Sequence, residues 1–119
     1  MISKHEIRNY IMNLPESREA EHWGKPSFRI KNKIFAILQE DGTTLTIKAS
    51  AEDIEIHTQL DPRIFQVPKT FSNLNYMHIN MELIDPEEAK SFILKAWRSV
   101  APKKLVKDFE VKSKFEGTK

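Results

Sequence analysis

No cysteine occurs among the 119 residues. A disulfide framework, a thiolate metal site and a thiol nucleophile are thereby excluded, and a reducing, cytoplasmic location is expected. Glycine is nearly as scarce. Gly24, Gly42 and Gly117 are the only three, too far apart for a phosphate-cradling loop or a dinucleotide fingerprint, both of which need closely spaced glycines. The longest unbroken apolar run is Ile34 to Leu38, far short of the roughly 20 residues that a membrane-crossing helix requires. The opening Met1-Ile2-Ser3-Lys4-His5-Glu6 lacks the basic-then-apolar pattern of an export signal. A soluble chain, neither exported nor embedded, is expected.

A strong excess of one charge is also missing: 19 Lys and Arg stand against 17 Asp and Glu, a net +2. The distribution is less even than the sum. Residues 25 to 48 hold Lys25, Arg29, Lys31, Lys33 and Lys48 against Glu40 and Asp41, and residues 101 to 119 are also basic. Such a pattern permits an anionic partner without demanding one. The four histidines, His5, His22, His57 and His78, fall in different segments with no pair at a helical metal-ligand spacing, so no metal or other cofactor is expected. Glu52, Asp53, Glu55 and His57 lie close together, but capping and the helix dipole account for acids in a first helical turn. No nucleophile, base and orienting group occur together, and no enzymatic activity is expected.

What the chain does have is a clear order of amphipathic segments. Ser3-Lys4-His5-Glu6 is a capping box, in which hydroxyl and carboxylate each satisfy an amide at a helix start. Ile7, Tyr10, Ile11 and Leu14 then repeat at helical spacing until Pro15. Residues 16 to 22 show no clear apolar period and read as a polar connection. Gly24 and Pro26 punctuate the backbone before a first strand, where Phe28 and Ile30 alternate with Ser27, Arg29 and Lys31. Asn32 is the expected left-handed turn residue. Ile34 to Leu38 reads as a central strand covered on both faces, Asp41-Gly42 as a reversal, and Thr44 to Lys48 as a third strand. Ser50, Glu52 and Asp53 start a second helix that runs to about Leu60 before Pro62. Phe65 to Val67 is a short edge strand, and Tyr76 to Met81 is a clearer one.

Asp85-Pro86-Glu87-Glu88 is the best helix start in the chain, and Ala89, Phe92, Ile93, Ala96, Trp97 and Val100 follow on one stripe. Pro102 stops that helix and begins another turn through Leu105 and Val106. Residues 112 to 119 are polar enough to form a flexible tail. The order α-β(3)-α-β(2)-α predicts one α+β domain over residues 1 to 119. It is a two-layer α/β sandwich with a five-stranded antiparallel sheet and helices on one face.

Leu14-Pro15, Trp23-Gly24-Lys25-Pro26-Ser27-Phe28-Arg29 and Lys33-Ile34-Phe35-Ala36-Ile37-Leu38 resemble the MmcQ/YjbR family. The match continues more loosely through Leu45-Thr46-Ile47-Lys48, the Asn75-Tyr76 strand and the last long helix. Lys31-Asn32 stands where the family often has a glycine pair, which makes the hairpin tip more basic. The resemblance implies the same element order, a fold similar to secretion chaperones, and a bacterial-type protein. It also implies DNA binding, a label the family carries through likeness to a double-wing DNA-binding domain.

Two uses of the surface follow. In the first, Arg29, Lys31, Lys33 and Lys48 face outward as a basic hairpin strip that neutralises phosphates, and Trp23 stacks on a base. The plainer roles are a solvated strand face for the cations and a core-edge packing role for Trp23. In the second, a protein partner docks in a chaperone-like manner on Met77, Ile79 and Met81, whose plainer role is burial beneath the helices.

Overall fold

The computed structural model describes residues 1–69 and 75–117. Helix α1 spans Lys4–Met12, with the expected capping box formed reciprocally between Ser3 and Glu6. Strands β1 (Arg18–His22), β2 (Lys25–Ile30), β3 (Lys33–Leu38) and β4 (Thr44–Lys48) follow. After them come α2 (Ala51–Leu60), β5 (Phe65–Gln66), β6 (Tyr76–Asn80), α3 (Pro86–Val100) and α4 (Lys103–Gly117). The sheet is antiparallel and six-stranded, in the order β1-β2-β3-β4-β6-β5.

The extra strand is β1, in the segment expected to be a polar connection. It lies at the sheet edge with no residue fully buried. An edge strand wet on both faces needs no apolar alternation, and its charged residues discourage further pairing. Its partner is supplied by the turn: His22 pairs with Lys25 across Trp23 and Gly24, whose φ angles are 52° and 79°. Two successive positive φ values fit the tight hairpin turn whose twist matches paired strands. In the next hairpin Lys31, not Asn32, takes the left-handed position, at φ 56°.

A register shift opposite Phe28 and Arg29 leaves Phe35 as the extra residue of β3. Bulges of this kind re-aim side chains, and both Phe35 and Ala36 join the core. That core also takes Phe28, Leu45, Ile47, Met77 and Ile79 from the sheet and the Ala89-to-Val100 stripe from α3. Met77, Ile79 and Met81 are thus covered, as their plainer role has it, and offer no apolar surface to a partner.

Beyond Pro102 the chain forms a fifteen-residue helix, in place of a single turn and a tail from residue 112. Thr118 and Lys119 lie outside the described residues. The apolar signal of α4 is weak, but Phe109 meets Trp97 at 5.1 Å between ring centroids, and Glu110 pairs with Arg98 at 3.5 Å. Trp97 itself is fully buried and donates from Nε1 to the Pro15 carbonyl at 3.1 Å. Tertiary contact overrides modest local propensity here.

Candidate functional site

Strand alternation sorts the charges of the β1–β2 ribbon by face. Glu19 lies opposite Phe28, a core residue, and so belongs to the helix side, where Arg8 donates to its carboxylate at 2.8 Å. Arg18 opposite Arg29, Ala20 opposite Ser27, and His22 opposite Lys25 therefore share the face that the helices leave uncovered. Acids point one way and bases the other. Two arginines directly opposite each other repel. Arg29 answers with a hydrogen bond from Nη2 to Ser27 Oγ at 2.8 Å, and Ser27 Oγ donates onward to the Ala20 carbonyl at 2.7 Å. The buried Arg29 Nε has no acceptor among the described residues. Among the described residues, no ion pair engages Arg18, Lys25, Arg29, Lys31 or Lys33.

The residues singled out in the sequence do not form one cluster. Trp23 is 81% exposed at the β1–β2 tip, which overturns a packing role at the core edge. Its ring stacks on His22, with centroids 5.1 Å apart and planes 9° from parallel. Lys31 and Lys33 are exposed at the opposite end of β2, about 25 Å away at the ~3.3 Å rise of a strand residue. Arg29 is half-buried between the two tips. Lys48, also half-buried, lines a separate cavity with Asp53, Lys95 and Ser99 and is not part of the ribbon.

Next to the ribbon, the same face carries a directed chain of hydrogen bonds. Lys25 Nζ donates to Gln39 Oε1 at 2.9 Å, Gln39 Nε2 donates to Thr46 Oγ1 at 2.8 Å, and Thr46 Oγ1 lies 2.7 Å from His78 Nδ1. An ammonium only donates, so the amide oxygen must face Lys25 and its NH2 must face Thr46. The threonine oxygen has a second lone pair and one proton for the 2.7 Å contact with His78 Nδ1, so the imidazole tautomer sets the direction of that bond. Burial pushes its pKa below the ordinary histidine value, Asp41 opposes that shift, and Lys25 adds to it. Thr46 is fully buried, so its bond to the imidazole does not make an accessible nucleophile. Asp41 accepts from the Thr44 hydroxyl at 2.7 Å and from the Thr43 and Thr44 amides, and these bonds hold its pKa down.

A cavity of about 540 Å³ opens here, bordered by Lys25, Asp41, Arg63, His78 and Asn80 among others. Among the described residues, no group of three or more His, Asp or Glu converges as a metal site. Arg18 and His22 were missed because the segment lacks apolar alternation, although its charges do alternate: Arg18-Glu19-Ala20-Glu21. His78 and Gln39 were invisible because they meet only across strand register.

A family model described as YjbR matches residues 12–99. No curated protein matches. A similar solved structure is the crystal structure of Deinococcus radiodurans protein DR2400, with a domain named DUF419. The likeness has a TM-score of 0.77 at 17% identity and covers 87% of this chain and 81% of that one. At that identity the likeness concerns the fold alone.

Proposed function

This chain belongs to the YjbR family, and on that premise we propose that it binds nucleic acid through the uncovered face of the β1–β2 ribbon. The observation that carries this reading is the sorting of charge. Arg18, Lys25 and Arg29 share one face with His22 while Glu19 is turned to the helices, and none of the three cations is spent on an ion pair among the described residues. Cations held unpaired on a rigid ribbon neutralise phosphates and release counterions. Trp23 adds a stacking surface at one tip, whereas Lys33, paired with the core residue Ile30, falls on the helix side of the sheet.

Fluorescence anisotropy with a labelled DNA duplex tests the reading. Binding should weaken with salt, and Arg18→Ala with Lys25→Ala should lower the slope of log affinity against log salt by about 2, one per lost phosphate contact. Lys48→Ala should leave affinity unchanged. Affinity no tighter than that of an unrelated protein of equal charge, or a double variant indistinguishable from the parent, would sink the reading.

A further inference from the structure

The cavity beside His78 shows an asymmetry in its polar groups that a nucleic-acid role for the ribbon does not use. Internal hydrogen bonds engage the Gln39 and Asp41 acceptors at its edge, Glu40 adds a carboxylate, and several side chains keep donors unspent. His78 has Nδ1 engaged with Thr46 Oγ1 at 2.7 Å, which leaves Nε2 as its unspent ring nitrogen. Asn80 Oδ1 accepts from the Glu82 amide at 3.0 Å, so its NH2 is the part left over, with no acceptor among the described residues. Lys25 spends one of its three N–H bonds on Gln39. Among the described residues Arg63 reaches only Asp61, at 3.7 Å, and its side chain is 80% exposed. The carboxylate of Asp41 is turned onto Thr43 and Thr44. Donors thus come from β2, from β6 and from the segment before β5.

We propose that this cavity binds the phosphate group of a small phosphate monoester, with His78 Nε2, Asn80 Nδ2, Lys25 Nζ and the Arg63 guanidinium donating to its oxygens. A tetrahedral dianion uses donors arriving from several directions better than a planar carboxylate does. The volume falls within the range of ligand pockets and leaves room for an organic remainder. Glu40 and Asp41 border the same cavity and oppose an added anion more strongly the higher its charge, which favours a monoester over a polyphosphate.

The test is an NMR titration of the histidine ring nitrogens with inorganic phosphate and with glycerol 3-phosphate, against chloride at equal ionic strength and pH. Both phosphates should give a saturable shift at His78, with Nε2 protonated throughout, and chloride should not. Arg63→Ala alters an exposed side chain and should weaken binding about tenfold, the loss of one charge-assisted hydrogen bond. Asn80→Asp keeps the bond to Glu82 but replaces donors with a carboxylate, and should abolish binding. A proton on Nδ1, a shift that does not saturate, or equal affinity in both variants overturns the proposal. A DNA oligonucleotide that displaces inorganic phosphate from His78 would assign the site to a nucleic-acid backbone and overturn it as well. Because Lys25 alone is shared with the ribbon, loss of DNA binding in Arg18→Ala with phosphate binding intact separates the two sites.

Discussion

Trp23 holds a φ of 52° in the first position of a two-residue turn. Asn and Gly adopt that conformation readily, whereas a bulky side chain is strained there. An indole that is both strained and 81% exposed contributes little to folding, and sites of this kind commonly exchange stability for contact. Trp23→Asn should therefore raise thermal stability by the equivalent of about 0.5–1 kcal/mol while weakening DNA affinity. A fall in melting temperature would restore a packing role. His78 makes a second residue-scale prediction through its lowered pKa. The folded state binds its proton less readily than the unfolded chain, so the unfolded state gains protons first as pH falls through the ordinary histidine range. Its contribution to stability is thus complete above that range and declines below it. Denaturation midpoints followed from pH 7.5 to 5, an interval spanning the ordinary value of about 6.5, should show a decline that is flatter in His78→Gln.

At the scale of the element, the hairpins carry the proposed contact surface and α4 adds packing that its own sequence does not announce. Phe109 packs its ring at a tilt of 59° against Trp97 from a helix with a thin apolar signal. Phe109→Ala should cost about 1–2 kcal/mol, less than the 3–5 typical of a fully buried phenylalanine because Phe109 is only partly buried. A denaturant midpoint that does not move would show that α4 adds nothing to the core. Elements that combine a cap, a period and a stop were legible in the sequence. These include α1 from Ser3 and Glu6, α3 from Asp85 and Pro86, and β4 from Leu45 and Ile47. β1 was not, because its conformation is fixed by a partner strand and a left-handed Trp-Gly turn and not by its own burial. The bulge at Phe35 was hidden for a related reason: an unbroken apolar run reads the same whichever face each side chain takes.

Over the whole molecule the helices lie on one side of the sheet, as the periodicities imply, and the other carries Arg29, Ser27, Thr46 and His78 beside the apolar Ile34 and Ile37. Among the described residues, no helix is long and apolar enough to cross a membrane. The net charge of +2 hides a basic ribbon behind acids that face elsewhere, which is why composition alone said little about partners. Arg29 was legible as an outward cation, whereas Lys33, paired with the core residue Ile30, lies on the helix side. Arg18, His22 and Lys25 became part of the same surface only once β1 was paired to β2.

Mapping the contact surface by amide and indole NMR shifts, as a DNA oligonucleotide is added, tests the central claim most directly. The amides of Arg18, Ala20, His22, Lys25 and Arg29 and the Trp23 Nε1–H should move together and saturate, while α3 and α4 stay still. Shifts confined to the helices, or none that saturate, would contradict it.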